Sequence, residues 1–307
     1  MELAMRTQLQ EILERVKAGE SASMTFEAEG ETYIRSFRPK ERLILLGGGH
    51  IAQPLCRYGA DLGFAVTIVD DRPSFANQSR FPEAQAVICD AFPSALRTIE
   101  IKETDYVAVI TRGHRCDADC LQIILAGPFP RYLGMIGSKR RITELFQLLE
   151  QDGISRSMLD RIHAPIGLPI NALTTKEIAI SIIAELIQCR RQDTMRQSRE
   201  SILVSEDIDL PMLTFLTCKQ QVALLVVYET RGSTPVKAGA MMGVDRDFQT
   251  VGTIGGGCSE HAVLMDAYRL IGTGAQRCMT VDMSGDVAEE EGMVCGGQME
   301  VWITDVG

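Results

Sequence analysis

The sequence feature that most constrains the fold is a series of short apolar runs that alternate with helix-like segments between residues 43 and 151. Such runs are typical of strands that are buried on both faces. Strands that alternate with helices form βαβ units and therefore a parallel sheet. This region is thus predicted to be α/β, with a doubly wound parallel sheet. The predicted strands are 43–46, 65–69, 86–88, 106–110 and 132–136, and the predicted helices are 51–62, 116–126 and 139–151.

The chain on either side of this region has a different pattern. A short amphipathic helix over 5–19 and two alternating strands, 24–28 and 32–36, come before it, with a hairpin turn at Glu29-Gly30. A polar stretch over 190–200 comes after it. A length of 307 residues suits about two domains. We therefore predict a Rossmann-like domain over 1–195, with the N-terminal helix and hairpin included, and a smaller α+β domain over 196–307.

Charge and cysteine content restrict the class of protein. With 31 basic and 41 acidic residues, the net charge of −10 argues against a nucleic-acid or polybasic membrane partner. The longest apolar run is about seven residues, far short of the roughly 20 that span a bilayer. Nine cysteines without a C-x-x-C pair favour neither a zinc site nor a disulfide framework. We expect a cytoplasmic protein without a secretory signal, a membrane partner or a protein-ligated metal.

A glycine loop follows the first predicted strand of the parallel sheet. The residues Gly47-Gly48-Gly49-His50-Ile51-Ala52 fit the pattern G-x-G-x-x-A and open a helix. Gly47 would permit a tight turn, and Gly49 would let the backbone approach a phosphate at the helix N-terminus. Asp70 ends the next strand, where an adenosine ribose would be held. The pattern predicts a phosphate- or nucleotide-binding loop, and the alternative is a βα turn without a ligand.

Two further loops follow strands of the same sheet. In a parallel sheet they share the carboxyl edge with the glycine loop, where ligands bind. We therefore expect a cationic crevice that binds an anion, although a helix-capping histidine and a solvated first helical turn are the simpler interpretations. The candidate residues are His50, Arg112, His114, Gly137, Ser138, Lys139 and Arg140.

The second domain contributes three glycine-rich loops of its own. Three consecutive glycines before a helix cost backbone entropy, which favours close backbone approach to a ligand. Thiols beside glycines are candidates for exposed, reactive groups, and buried inert thiols are the alternative. The candidate residues are Ser233, Lys237, Gly255, Gly256, Gly257, Cys258, Glu260, Cys295 and Gly296.

Several of these motifs together resemble those of the XdhC/CoxI family. The segments GGGHIA, VDDRP, TRGHxxD, GMIGSKRR and PIGLPINALTTKEIAISIIAEL resemble its Rossmann half, whereas GSTPVKAGAMM, GTIGGGCSE and MVCGG resemble its CoxI-type half. The family usually carries the CoxI half first, so the order here is reversed. Val236 stands where the family motif has arginine, and Ser259 where an apolar residue is usual.

The resemblance implies an accessory chaperone for a molybdenum hydroxylase. Such a protein would bind the molybdenum cofactor, as molybdopterin or its dinucleotide, and deliver it in sulfurated form to a xanthine dehydrogenase or carbon monoxide dehydrogenase type apo-enzyme. A cysteine desulfurase would be a second partner. The phosphate would suit the glycine loop and the GSKRR turn, and Cys258 or Cys295 would face the sulfur and metal end. We also expect a homodimer.

Two other interpretations remain open at this stage. One is an NAD(P)-dependent oxidoreductase, for which Asp70 favours NAD and the nearby Arg72 suits NADP. Its best acid–base pair would be His114 with Asp117 or Asp119, and no catalytic residue is assigned. The other is an interaction scaffold whose crevice holds no ligand.

Overall fold

The structure is a computed structural model. It describes residues 2–197, 202–204, 209–255, 258–283 and 297–307. The chain forms two compact units: residues 40–196 are the central unit, and residues 1–39 together with 197–307 are the flanking unit. In chain order the elements are α1 (Glu2–Lys17), β1 (Ala22–Ala28), β2 (Glu31–Phe37), β3 (Arg42–Leu46), α2 (Ala52–Asp61), β4 (Ala65–Asp70), β5 (Ala86–Cys89), α3 (Phe92–Ile99), β6 (Tyr106–Val109), α4 (His114–Leu125), β7 (Tyr132–Met135), α5 (Lys139–Gln151), α6 (Arg156–Leu159), α7 (Thr175–Gln197), β8 (Ile202–Val204), α8 (Asp209–Cys218), β9 (Val222–Arg231), β10 (Met241–Asp245), β11 (Thr250–Gly252), α9 (Cys258–Leu270), β12 (Gln276–Asp282) and β13 (Gln298–Asp305).

The central unit contains the predicted parallel sheet. Its five strands lie in the order β5-β4-β3-β6-β7, and every adjacent pair is parallel. Chain order reverses direction between β3 and β6, which is the kind of switch point where ligands bind in such sheets. The α/β doubly wound fold of this unit is therefore as predicted.

Helices cover both faces of this sheet because its central strands are apolar on both sides. Side chains of alternate parity, such as Ile44 and Leu46 against Leu43 and Leu45, enter two separate buried clusters. One cluster is completed by α3, α4 and α5, and the other by α2 and α7. Helices α2, α4 and α5 begin directly after β3, β6 and β7, and this arrangement brings the candidate loops to one edge.

The flanking unit is built on an antiparallel sheet with the order β11-β10-β9-β13-β12. Helix α9 packs on one face of this sheet. The other face is covered by α1, α8 and a small sheet of β1, β2 and β8. This unit thus has the α+β character predicted for the second domain.

The N-terminal helix and hairpin require a correction to the predicted domain boundaries. The sequence places them in the Rossmann-like domain over 1–195, but residues 1–39 belong to the flanking unit. Strand β2 pairs with β8, and apolar residues of α1, such as Leu9 and Leu13, share a core with Trp302. The physical reason is that one face of the antiparallel sheet is apolar and is buried by these segments. The central unit is therefore inserted within the flanking unit along the chain.

Within the described ranges, no helix combines the length and apolar character needed to cross a bilayer.

Candidate functional site

The three glycines after β3 differ in whether the fold leaves room for a side chain at their positions. Gly47 has a φ of +124°, and a Cβ there would lie 2.4 Å from the carbonyl oxygen of Ile110. A Cβ at Gly48 would lie 2.5 Å from the carbonyl oxygen of Phe75. At Gly49, by contrast, a Cβ would have nothing within 4 Å. The fold itself therefore requires Gly47 and Gly48, whereas Gly49 borders open space.

The backbone N–H groups next to Gly49 are the donors nearest to this open space in the chain. Gly49 and the next two residues precede α2, and the carbonyl oxygen of Gly49 accepts the N–H of Ala52 at 3.2 Å. Among the residues that the structure describes, no acceptor pairs with the N–H groups of Gly49, His50 or Ile51. Unpaired N–H groups at a helix N-terminus favour a bound anion. Phosphate binding by this loop, which the sequence pattern predicts, remains a prediction.

The carboxylate of Asp70 is fully engaged within the protein. It accepts the N–H of Gly48 at 2.8 Å, the N–H of Arg72 at 3.1 Å, and two guanidinium bonds from Arg72 at 2.8 and 2.9 Å. Burial alone would raise the pKa of Asp70, but these donors together hold the pKa below its usual value. The position predicted for a ribose contact is thus occupied by the chain itself. This geometry does not support Asp70 as the residue that binds a nucleotide ribose.

The segment after β4 packs against the glycine loop. The guanidinium of Arg72 lies 3.7 Å from the ring centroid of Phe75, and that of Arg80 lies 5.0 Å from the same ring. Arg80 Nε also donates to the carbonyl oxygen of Gly48 at 3.2 Å. His50 is exposed, with its ring edge-on to Phe75 at 6.5 Å. This side of the loop is therefore filled by protein side chains.

Arg112, in the loop after β6, forms an ion pair with Asp71, the residue after β4. Arg112 Nη2 and Asp71 Oδ2 are 2.9 Å apart, and Arg112 is half exposed. Because β3 lies between β4 and β6, this ion pair joins the two strand ends that flank the glycine loop. Arg112 therefore lies beside the glycine loop, and its predicted role in binding an anion remains a prediction.

Asp117, one of the two residues predicted as an acid–base partner of His114, has a structural role instead. It is fully buried, accepts the Thr111 hydroxyl at 2.5 Å and forms an ion pair with Arg141. These bonds tie α4 to the end of β6 and to α5. The side chain of His114, the first residue of α4, lies outside the described part of the structure. Asp117 is thus a structural link and is not available as an acid–base partner.

The loop after β7 serves mainly to start α5. Ser138 is the N-cap residue, and its Oγ accepts the N–H of Arg141 at 3.3 Å. Arg140 is 88% exposed and pairs with Glu144 one turn later at 2.8 Å. Lys139 is also exposed, and a Cβ at Gly137 would approach Ile142 at 3.2 Å. For Arg140 the solvated first turn, the simpler alternative, is what the structure shows, because its charge is balanced by Glu144.

A cluster around Glu185 in the central unit was not among the predicted site residues. Its carboxylate contacts His163 Nδ1 at 3.0 Å, the Tyr132 hydroxyl at 2.5 Å and the N–H of Gly167 at 2.8 Å. Burial tends to raise the pKa of Glu185, but the bonds from His163, Tyr132 and Gly167 lower it overall. The cluster ties the segment after α6 to α7. The sequence signal that could have found it is a carboxylate on an otherwise apolar helix face.

In the flanking unit, parts of the three predicted loops converge at one end of the antiparallel sheet. Gly255 has a φ of +124°, and a Cβ there would lie 2.3 Å from Pro235. A Cβ at Gly297 would lie 2.4 Å from the carbonyl oxygen of Ser233. Ser233 and Lys237 are exposed in the loop between β9 and β10. Gly255 and Gly297 are thus both packed against the loop between β9 and β10, at Pro235 and at Ser233 respectively.

The other predicted residues of these loops cannot be placed. Gly256, Gly257, Cys295 and Gly296 lie outside the described residues, as do the side chains of Cys258 and Glu260. The roles predicted for these residues remain predictions.

A buried ion pair supports the loop between β9 and β10. Arg35 is fully buried, and its Nη2 lies 2.6 Å from Asp209 Oδ1. Its Nε donates to the carbonyl oxygen of Gly239 at 3.0 Å. Burial lowers the pKa of Arg35 and raises that of Asp209, although each group favours the charged form of the other. The N-terminal hairpin thus anchors this loop, which sequence patterning did not indicate.

Comparisons with known proteins agree with this architecture. A protein of Bacillus subtilis (strain 168) described as a probable xanthine dehydrogenase subunit is 32% identical over 168 residues, which are 54% of this chain and 48% of that protein. "Uncharacterized protein YqeB" of Escherichia coli (strain K12) is 29% identical over 158 residues, which are 51% of this chain and 28% of that protein. The chain thus spans less than half the length of these two relatives.

A solved structure and two family models match as well. A crystal structure of a xanthine dehydrogenase from Bacillus halodurans is 34% identical with a TM-score of 0.50, and the match covers 57% of this chain and 50% of that one. The model of the XdhC Rossmann domain matches residues 43–186, and the model of the XdhC and CoxI family matches residues 216–282. Together the two models span more than half of the chain, which therefore belongs to the XdhC and CoxI family, with its Rossmann domain first.

Proposed function

We propose that this protein is an accessory chaperone that binds the molybdenum cofactor and delivers it to a molybdenum hydroxylase of the xanthine dehydrogenase or carbon monoxide dehydrogenase type. Family membership and a relative named for xanthine dehydrogenase support this class of function. Delivery in sulfurated form, a cysteine desulfurase partner, a homodimer and a cytoplasmic location are parts of the same proposal.

One observation carries the proposal: the open glycine loop of the central unit. Gly49 has no neighbour within 4 Å of a Cβ position, although its conformation does not require glycine. Gly49 and the next two residues have N–H groups without an acceptor in the described part of the chain. A phosphate oxygen would satisfy these donors, with support from the partial positive charge of the helix N-terminus.

The residues present fit the phosphate end of the cofactor. The N–H groups before α2 would hold the phosphate, and Arg112 would add a cation beside it. When bound, the cofactor supplies the pterin dithiolene and the molybdenum that the hydroxylase needs. The chain's own contribution is to bind and orient the phosphate through backbone donors, an arrangement that permits release because it involves no closed cage of metal ligands.

The NAD(P)-dependent oxidoreductase is less well supported. In dinucleotide-binding folds, the acidic residue at the end of the second strand binds ribose hydroxyls. Asp70 already accepts four hydrogen bonds from the protein. Asp117, one of the candidate partners of His114, is buried and engaged by Thr111 and Arg141.

A pair of substitutions at Gly49 tests the proposal. Gly49→Asp places a negative charge at a helix N-terminus, where it favours the helix but repels an anion. Gly49→Asn adds a side chain of similar size without the charge. We expect calorimetry with molybdenum cofactor released from a molybdoenzyme to show a roughly tenfold to hundredfold loss of affinity for Gly49→Asp, since a charge-assisted hydrogen bond is worth about 1.5–3 kcal/mol. Gly49→Asn should lose much less.

Delivery requires its own measurement. Cofactor-loaded protein is mixed with a molybdenum-free apo-hydroxylase, and recovery of hydroxylase activity is compared with recovery on addition of free cofactor. Faster or more complete recovery with the wild-type protein than with Gly49→Asp supports a chaperone. Equal cofactor affinity of the two proteins would contradict the assignment of this loop.

A further inference from the structure

The β4 side of the glycine loop is closed by the chain itself. The carbonyl oxygen of Phe75 is so close to Gly48 that a Cβ there would lie 2.5 Å away. The Phe75 ring carries the guanidinium of Arg72 at 3.7 Å, and Arg80 holds the carbonyl oxygen of Gly48 at 3.2 Å. A nucleoside placed on this side would have to displace this packing.

The hydrogen-bonding capacity of Asp70 is also exhausted. An ionised carboxylate offers about four lone-pair positions. Asp70 accepts four hydrogen bonds, three of them from Arg72 and one from Gly48, and its side chain is 2% exposed. A ribose hydroxyl could bind there only if Arg72 or Gly48 withdrew its donor. The usual recognition point for the nucleoside half of a dinucleotide is therefore not available.

The other side of the loop has the opposite character. A Cβ at Gly49 would enter open space, and the N–H groups of Gly49 and the next two residues have no acceptor among the described residues. Arg112 is half exposed in its ion pair with Asp71. Exposed ion pairs are weak, so a phosphate could take Asp71's place as the partner of Arg112. The loop thus combines a receptive phosphate position with a closed nucleoside position.

We propose that the glycine loop binds a terminal phosphate monoester and excludes a nucleoside diphosphate, and that Arg72 is the specificity-determining residue. This inference rests on the proposed function. Within that function, it means that the cofactor is accepted with its single phosphate and not in its nucleotide-extended form. Arg72 acts by donating hydrogen bonds to the Asp70 carboxylate and by covering the Phe75 ring with its guanidinium.

The wild-type protein provides the primary test. The probes are the fluorescent pterin monophosphate obtained by oxidising molybdopterin, its nucleotide-extended counterpart, and ADP-ribose. Fluorescence anisotropy is expected to show at least tenfold tighter binding of the monophosphate than of the extended pterin. Calorimetry is expected to show no binding of ADP-ribose.

The possible failures are distinguishable. Binding of the extended pterin as tightly as of the monophosphate, or clear binding of ADP-ribose, would overturn this inference and leave the proposed cofactor binding intact. A protein that binds neither pterin would remove the phosphate site itself, and with it both the inference and the proposed function of the loop.

Substitution of Arg72 tests its role directly. Arg72→Ala frees two acceptor positions of Asp70 and uncovers the Phe75 ring, so ADP-ribose binding, undetected for the wild-type protein, should become measurable by calorimetry. Arg72→Lys, which keeps the charge near the buried carboxylate, is a second variant with a smaller expected gain. Arg57→Ala is the matched control, because Arg57 is an exposed arginine of α2 with no ion pair in the described structure. Unchanged ADP-ribose binding in folded Arg72→Ala would overturn the role of Arg72.

Discussion

The N–H group of Gly48 donates a 2.8 Å hydrogen bond to Oδ2 of Asp70. This bond joins the loop after β3 to the last residue of β4, the adjacent parallel strand. Because Arg72 holds the same carboxylate through its guanidinium, the loop is supported by a charge from the neighbouring strand. Asp70 therefore stabilises the conformation of the glycine loop through a hydrogen bond from the adjacent strand.

We predict that Asp70→Asn destabilises the protein in a pH-dependent way. The pKa of Asp70 is lowered in the folded state, so its ionised form stabilises the fold above the unfolded pKa of about 3.9. This contribution is lost as pH falls through the lower folded pKa. Breaking a buried ion pair costs about 3–5 kcal/mol. Urea unfolding should show a difference of this order from wild type at pH 7, which shrinks below about pH 4.

Asp61→Asn provides the control for this measurement. Asp61 is an exposed acidic residue at the end of α2, and its carboxylate makes no hydrogen bond in the described structure. Its substitution should leave the free energy of unfolding within about 0.5 kcal/mol of wild type. A stability difference for Asp70→Asn that stays constant from pH 7 to pH 3 would contradict the assigned role of the carboxylate.

We predict unequal losses of stability on substitution of two glycines of one loop. Gly47→Ala places a Cβ 2.4 Å from a backbone oxygen at a φ of +124°, so it should cost at least about 1–3 kcal/mol. Gly49→Ala enters open space and should change stability by no more than about 0.5 kcal/mol. Thermal unfolding of the two variants measures both effects, and equal losses would show that the loop differs from its described geometry.

The sequence predicts the parallel sheet well because strand burial leaves a local signature. The apolar runs at 43–46 and 106–110 correspond to β3 and β6, and the Glu29-Gly30 turn joins β1 to β2. The pairing of β2 with β8 leaves no such signature, because its partner lies more than 160 residues away in the chain. The same limit explains why sequence patterning places the N-terminal segment in the Rossmann-like domain.

The candidate site shows the same division between local and tertiary information. The pattern G-x-G-x-x-A places the loop correctly, but it does not show that Gly47, with its positive φ and its contact with Ile110, requires glycine whereas Gly49 does not. The spacing of Asp70 from the loop suits a ribose contact, yet Arg72, two residues later, takes up that carboxylate. The availability of Asp70 for a ligand therefore depends on its side-chain hydrogen bonds, which the motif does not encode.

We predict that the Arg35–Asp209 pair supports both the fold and the predicted ligand loop of the flanking unit. Arg35→Met leaves the 7% exposed carboxylate of Asp209 without its charge partner and should cost about 3–5 kcal/mol. The double variant Arg35→Met/Asp209→Leu removes both charges and should recover part of this loss. Chemical denaturation of the single and double variants gives the coupling energy, and strictly additive effects would argue against a direct interaction.

The last prediction concerns the insertion of the central unit into the flanking unit. A fragment of residues 40–196 contains a complete parallel sheet with both faces covered, so it should unfold cooperatively on its own. A fragment of 197–307 should not, because α1 and the β1–β2 hairpin cover one apolar face of its sheet. Joining 1–39 to 197–307 through a flexible Gly/Ser linker should restore cooperative unfolding, as measured by circular dichroism and calorimetry. A shuffled 1–39 segment of the same composition is the control. Cooperative unfolding of 197–307 alone, or equal rescue by the shuffled segment, would show that the N-terminal residues are not part of that unit.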